Sequence, residues 1–192
     1  MLLLLAAAPS AAAPTPSTAE ALSLCQRADA APAGERRALL ERGLAAAEAA
    51  VARDERDPAA HFAVFCNLGK RMRLDGASVA SLFALRRLRR EVDRTLELAP
   101  EHADALVGKA ALLYYTPRLL GGDPVEGERL LRRALVVAPD YLEARLALAR
   151  LLSARGERGE ARASAREALQ IAERQANVAR EDDARRLLQE LE

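Results

Sequence analysis

Tryptophan is absent from this 192-residue chain, and Phe and Tyr contribute three residues each. A core so poor in rings must be filled by aliphatic side chains, and here Leu and Ala, both strong helix formers, supply most of the apolar content. No stretch alternates strictly with Val, Ile or Thr, which removes the usual signature of a strand. Histidine occurs twice, as His61 and His102, and neither has a second His or a cysteine cluster at ligand spacing, so no metal site is expected. Charge of one sign is also missing. Lys and Arg number 29 against 28 Asp and Glu, for a net charge of +1, which gives no general attraction to nucleic acid or to an anionic membrane. No nucleophile elbow, phosphate loop or dinucleotide fingerprint is present. Gly121-Gly122 is not followed by the Lys-Ser/Thr pair that a phosphate loop needs. Neither a catalytic residue nor a cofactor is therefore assigned.

Long hydrophobic runs are confined to the beginning. Met1 to Ala13 reads MLLLLAAAPSAAA, too short to span a bilayer but similar to a secretory leader. Ser10-Ala11-Ala12 suits cleavage after Ala12, although no basic residue precedes Leu2. Residues 1–16 are read as a signal peptide or a disordered leader, and residues 17–192 as one helical domain. Export, to a periplasm-like compartment, is the favoured reading, with a cytoplasmic chain as the alternative. A lipid anchor at Cys25 is rejected, because Leu24 stands where a small residue is needed and charged Glu20 interrupts the apolar region. Cys25 and Cys66 are the only cysteines, so in an exported chain they either pair or lie buried separately.

The rest of the chain punctuates itself into helices. Ser17 and Glu20 form a capping box for a helix to about Ala30, and a second helix is expected from about Glu35 to Arg53. Pro58, Pro100 and Pro139 each introduce a new helix. Asp75-Gly76 marks a turn, after which Ser78 caps a long helix to Leu98. Asp123 is read as an N-cap with Pro124 at the first helical position and Glu126 completing a capping box. Leu142 to Leu169 carries the clearest pattern. Leu148-Ala149 is a large-small pair, Leu152 follows one turn later, and Gly156 closes the turn. Ala161, Ala165 and Ala168 then give the second helix a face that permits close approach. Ala184, Leu187, Leu188 and Leu191 form one stripe on an otherwise charged terminal helix.

That segment resembles a tetratricopeptide repeat almost position by position. The resemblance, looser upstream, implies an all-α right-handed superhelix of about four helix pairs plus a C-terminal capping helix. It also implies a non-catalytic scaffold with a protein or peptide partner, no nucleic acid and no membrane span. The segment YYTPRLLGGDPVEGERLLRRAL is similar to periplasmic TatT proteins associated with TRAP transporters, which implies the alternative of a transporter accessory holding a small ligand. In the repeat family, first helices line the ligand face. By that analogy Lys70, Arg73, Lys109, Tyr115, Glu143, Leu146 and Arg150 are candidate partner-binding residues. Asn67, Lys70 and Lys109 fall short of the full carboxylate clamp of chaperone-binding relatives. Arg118 joins the candidates because the Thr116–Asp123 loop is longer than a repeat turn requires. Two roles are open for that loop: presentation of Tyr115 and Arg118 to a partner, or burial of Leu119 and Leu120 in the core. The basic run Arg86 to Arg90 is read as a solvated helix face.

Overall fold

The computed structural model describes residues 16–76 and 79–192, all helix and connecting turns with no strand among them. The expected leader and the Ser78 cap lie outside the described residues. Four helices occupy the first part: α1 (Pro16–Ala30), α2 (Ala33–Arg53), α3 (Pro58–Asp75) and α4 (Val79–Leu98). Then come α5 (Ala103–Tyr115), a 3-10 turn over Arg118–Leu120, α6 (Pro124–Val137), α7 (Leu142–Ala154), α8 (Arg158–Arg174) and α9 (Val178–Glu190). The described helices thus read as four pairs and a terminal helix. The chain divides into two compact units, Met1–Glu91 and Val92–Glu192, with the break inside α4.

In the first unit α1, α2 and α3 pack on one another, burying alanines beside Leu24, Leu40, Leu44, Val64 and Leu68. Ala21, Ala47, Ala60 and Ala63 are fully buried, so backbones approach where larger side chains would hold them apart. Gly43 of α2 marks the tightest point. A Cβ there would fall 2.1 Å from the Oδ1 of Asn67. Asn67 is itself completely buried, and its Nδ2 donates to the carbonyls of Ala21 at 3.0 Å and Ala63 at 2.9 Å, joining α1 to α3. A disulfide between Cys25 and Cys66, with Cα atoms 6.3 Å apart, joins the same two helices one turn further along. At the N-terminal ends of the same helices, Thr18 of α1 donates to Asp57, whose other carboxylate oxygen caps α3 at Ala59. Gly69 of α3 lies against Leu88 of α4, and the His61 ring bridges Glu91 at 2.7 Å and the Glu55 carbonyl at 3.1 Å.

The second unit is held differently. Its main core joins Leu106, Leu130, Leu131, Leu148, Leu151, Leu152, Leu187 and Leu191, drawn from α5, α6, α7 and the end of α9. A smaller cluster places Leu142 and Leu146 against Ile171, Ala172 and Ala184. Each fully buried leucine contributes about 1.5–3 kcal/mol relative to exposure. Leu148, Ala149, Leu152, Ala161, Ala165 and Ala168 are all buried, as the repeat pattern requires, and Gly156 ends α7 at φ 81°. The terminal stripe also behaves as expected: Ala184, Leu187 and Leu191 are buried.

Several local expectations are corrected. Ser17 does not cap α1, because the helix already begins at Pro16 and the Ser17 hydroxyl receives Arg53 instead. Helix α2 runs from Ala33 to Arg53, within two residues of the expected start and with the expected end. Pro100 and Pro139 precede α5 and α7 as expected, whereas Pro58 occupies the first position of α3 itself. Asp123 does cap α6, accepting from Val125 at 3.0 Å and Glu126 at 3.1 Å. The reciprocal half of the box is missing. The Glu126 carboxylate is held by Arg129, and the Asp123 N–H goes to the Leu113 carbonyl. Leu146, expected on a ligand face, is 1% exposed and belongs to the core.

Candidate partner-binding site

The link from α5 to α6 is long but tightly bonded. Thr116 ends α5, with both its N–H and its hydroxyl directed to the Leu112 carbonyl. Pro117 then starts the 3-10 turn, where its carbonyl accepts from Leu120 and Gly122 while Gly121 donates to Arg118. The return stroke brings Asp123 N to Leu113 O at 3.0 Å. This closure needs glycine at 122, since a Cβ there would sit 1.8 Å from the Thr116 carbonyl oxygen. The N–H groups of Leu120, Gly121, Gly122 and Asp123 are thereby bonded, and most of the loop's side chains are left outside. Leu119 is 99% exposed, Tyr115 74% and Val125 63%. The alternative in which Leu119 tucks into the core is overturned. Tyr115 stands edge-on to Tyr114, ring centroids 4.9 Å apart, and Tyr114 in turn packs on the main core. Arg118 is exposed between these apolar groups and makes no ion pair among the described residues.

Lys70 and Arg73 come together elsewhere, in the first unit. With Arg36, Asp29, Ala28, Leu40 and Leu74 they line a cavity of about 180 Å³. Lys70 is already engaged, donating to the Cys25 carbonyl at 2.8 Å and to Asp29 at 2.6 Å.

The other candidates are tied into local ion pairs. Lys109 meets Asp93 at 2.7 Å. Glu143 and Arg150 of α7 face α9, where they meet Arg180 at 3.4 Å and Asp183 at 3.9 Å. Arg180 and Asp183 pair with each other at 2.9 Å, which completes a four-membered network. Burial works against the charged form, yet hydrogen bonds from Arg180 and Arg186, aided by the charges of Arg150 and Arg180, hold the Asp183 carboxyl below its ordinary value. Asn67, the nearest thing to a clamp asparagine, is spent inside the core. His102 proves to be a helix cap: its Nδ1 accepts from Ala105 N at 3.4 Å. Burial lowers its pKa below 6.5, opposed by the charge of Asp104 and by a backbone bond. Among the described residues no group of His, Cys, Asp and Glu is placed to hold a metal, and no helix is long and apolar enough to cross a membrane.

No protein-family model matches the sequence, and no curated protein is similar to it in sequence. Solved structures are similar in fold. The thermophilic TPR protein TTC0263 of Thermus thermophilus superposes with a TM-score of 0.67 at 21% identity, over 88% of this chain and 81% of that one. The chain has the tetratricopeptide-repeat fold. The MamA RS-1 ArsTM double mutant is also similar, with a TM-score of 0.54 at 16% identity, over 93% of this chain and 96% of that one.

Within this tetratricopeptide architecture two features escaped the sequence. One is the outward direction of Leu119, which a Leu-Leu pair beside two glycines does not reveal. The other is the placement of Arg36 and Leu40 beside Lys70. The helical spacing of Arg36, Leu40 and Gly43 was the available signal, because it puts the three on adjoining turns of α2.

Proposed function

We propose that this chain is a non-catalytic scaffold that binds a protein or peptide on the α5–α6 loop. The observation that carries this reading is the 99% exposure of Leu119 on a loop closed by its own backbone hydrogen bonds. A fixed apolar side chain in water lowers solubility without aiding the fold, so a covering partner is its natural complement. Tyr115 adds a flat amphipathic surface at small cost in side-chain entropy. Arg118 offers a planar fork to a carboxylate, so the fitting partner presents an apolar side chain close to an acidic residue. The same reading places the protein in an oxidising, exported compartment, an assignment supported by the apolar leader and by the Cys25–Cys66 pair. A repeat scaffold with no catalytic constellation in its sequence needs no turnover for this role.

Affinity capture with the full chain and with Tyr115→Ala/Leu119→Ser, followed by titration of any captured protein, tests the proposal. Binding should fall at least tenfold in the variant while its thermal melt stays within a degree or two of the parent. A partner held equally by both proteins would make the loop a structural link only.

A further inference from the structure

The cavity between α1, α2 and α3 has a divided lining. Ala28, Leu40 and Leu74 supply apolar wall, and Arg36, Lys70, Arg73 and Asp29 supply charge. Three cations against one carboxylate leave it net positive. The lysine and the aspartate neutralise each other at 2.6 Å. Arg36 gives its Nε to the Ala31 carbonyl at 2.8 Å, which fixes the stem of the side chain without discharging it. Neither Arg36 nor Arg73 makes an ion pair among the described residues. Two guanidiniums without counter-ions beside an apolar wall are matched by one carboxylate carried on a short hydrocarbon stem.

The geometry points to a socket for such a group. Its size narrows the ligand further, since about 180 Å³ falls below the roughly 300–1,000 Å³ of sites that enclose drug-sized molecules. It admits a fragment: the side chain of a glutamate in a partner protein, or a small free carboxylic acid. The cavity is also preformed. Lys70 is anchored to the Cys25 carbonyl, and Cys25 is bonded covalently to Cys66 on the helix that carries Lys70 and Arg73. That wall is therefore in place before binding, which lowers the ordering cost. The socket belongs to the first unit and is independent of the α5–α6 loop, so either can fail without the other.

Isothermal titration of the full oxidised chain with four probes tests it. Butyrate stands for the free acid and N-acetyl-glutamate N-methylamide for the acidic side chain in a peptide. The corresponding glutamine compound removes the charge, and inorganic phosphate removes the stem. Saturable binding of butyrate, the glutamate compound or both is expected, at least tenfold tighter than of the glutamine compound or phosphate. Arg36→Gln/Arg73→Gln should abolish the difference with the circular dichroism spectrum unchanged. Binding of butyrate alone identifies a small-acid site, and of the glutamate compound alone a peptide socket; both support the proposal. No saturable binding of either, phosphate binding as tight as butyrate, or undiminished binding by the double variant would each overturn it.

Discussion

The two units bury comparable helices by different means. Below Glu91 buried alanines stand beside Leu24, Leu40, Val64 and Leu68, and a disulfide, an amide shared between α1 and α3, and a threonine bonded to a helix cap add covalent and polar links. Above Val92 alanines are buried as well, but there eight leucines join one cluster and hold the helices without covalent help. A methyl group buries little surface and fills little volume, so an alanine face brings backbones close but grips weakly. Polar and covalent links then have to supply the grip. A leucine face carries its own.

Removing the links should expose this difference. Cys25→Ser/Cys66→Ser frees a loop of 41 residues from its cross-link, which on a chain-entropy basis costs about 4 kcal/mol. The loss should be confined to the first unit. Hydrogen exchange should show α1 to α3 opening while α7 and α8 keep their protection, and a uniform loss across the chain would mean that the units do not differ as described. Leu152→Ala is the complementary break. Leu152 is 1% exposed, and its truncation should cost about 3 kcal/mol, read from α5 to α9 first. Leu152→Met should recover most of that loss, because volume is kept.

The smallest effect concerns pH. His102 caps α5 only while its Nδ1 is unprotonated, and burial already favours the neutral ring. Its folded pKa lies below 6.5, so the unfolded chain binds the extra proton first. The contribution is therefore present above about pH 6.5 and is lost as pH falls from there towards the folded pKa. His102→Asn keeps the cap without the titration. It should flatten the fall in melting temperature between about pH 7 and pH 5.5, an effect of no more than about 1 kcal/mol. An unchanged slope would assign the pH dependence to other groups.

Legibility in the sequence followed the same division. The second unit announced itself, because Leu148-Ala149, Leu152 and the alanines at 161, 165 and 168 repeat at helical period and all point inward. The helix ends marked by Asp123 with Pro124 were equally plain. The first unit was harder, since runs of alanine carry little amphipathic contrast and several registers fit them. The cysteines could be named as a pair but not brought together without coordinates. Among the site residues, Tyr115 and Arg118 were visible as unusual chemistry on a long loop. Lys109, Glu143 and Arg150 looked equally available, yet each has an ion-pair partner on another helix, which spacing along one helix cannot reveal. Leu119 looked like core because leucine is normally core.

Asn67 has a consequence of a mechanical kind. Alanine faces have few teeth, so their packing alone opposes a slide of α1 along α3 only weakly. The Asn67 amide does oppose it. Its two protons are spent on one carbonyl from each helix, those of Ala21 and Ala63. Advancing α1 by a single residue rotates the next carbonyl about 100° around the helix axis and away from the amide. A buried N–H would then be left without an acceptor, at about 1–3 kcal/mol. The side chain works as a detent, giving a smooth bearing one position in which it comes to rest.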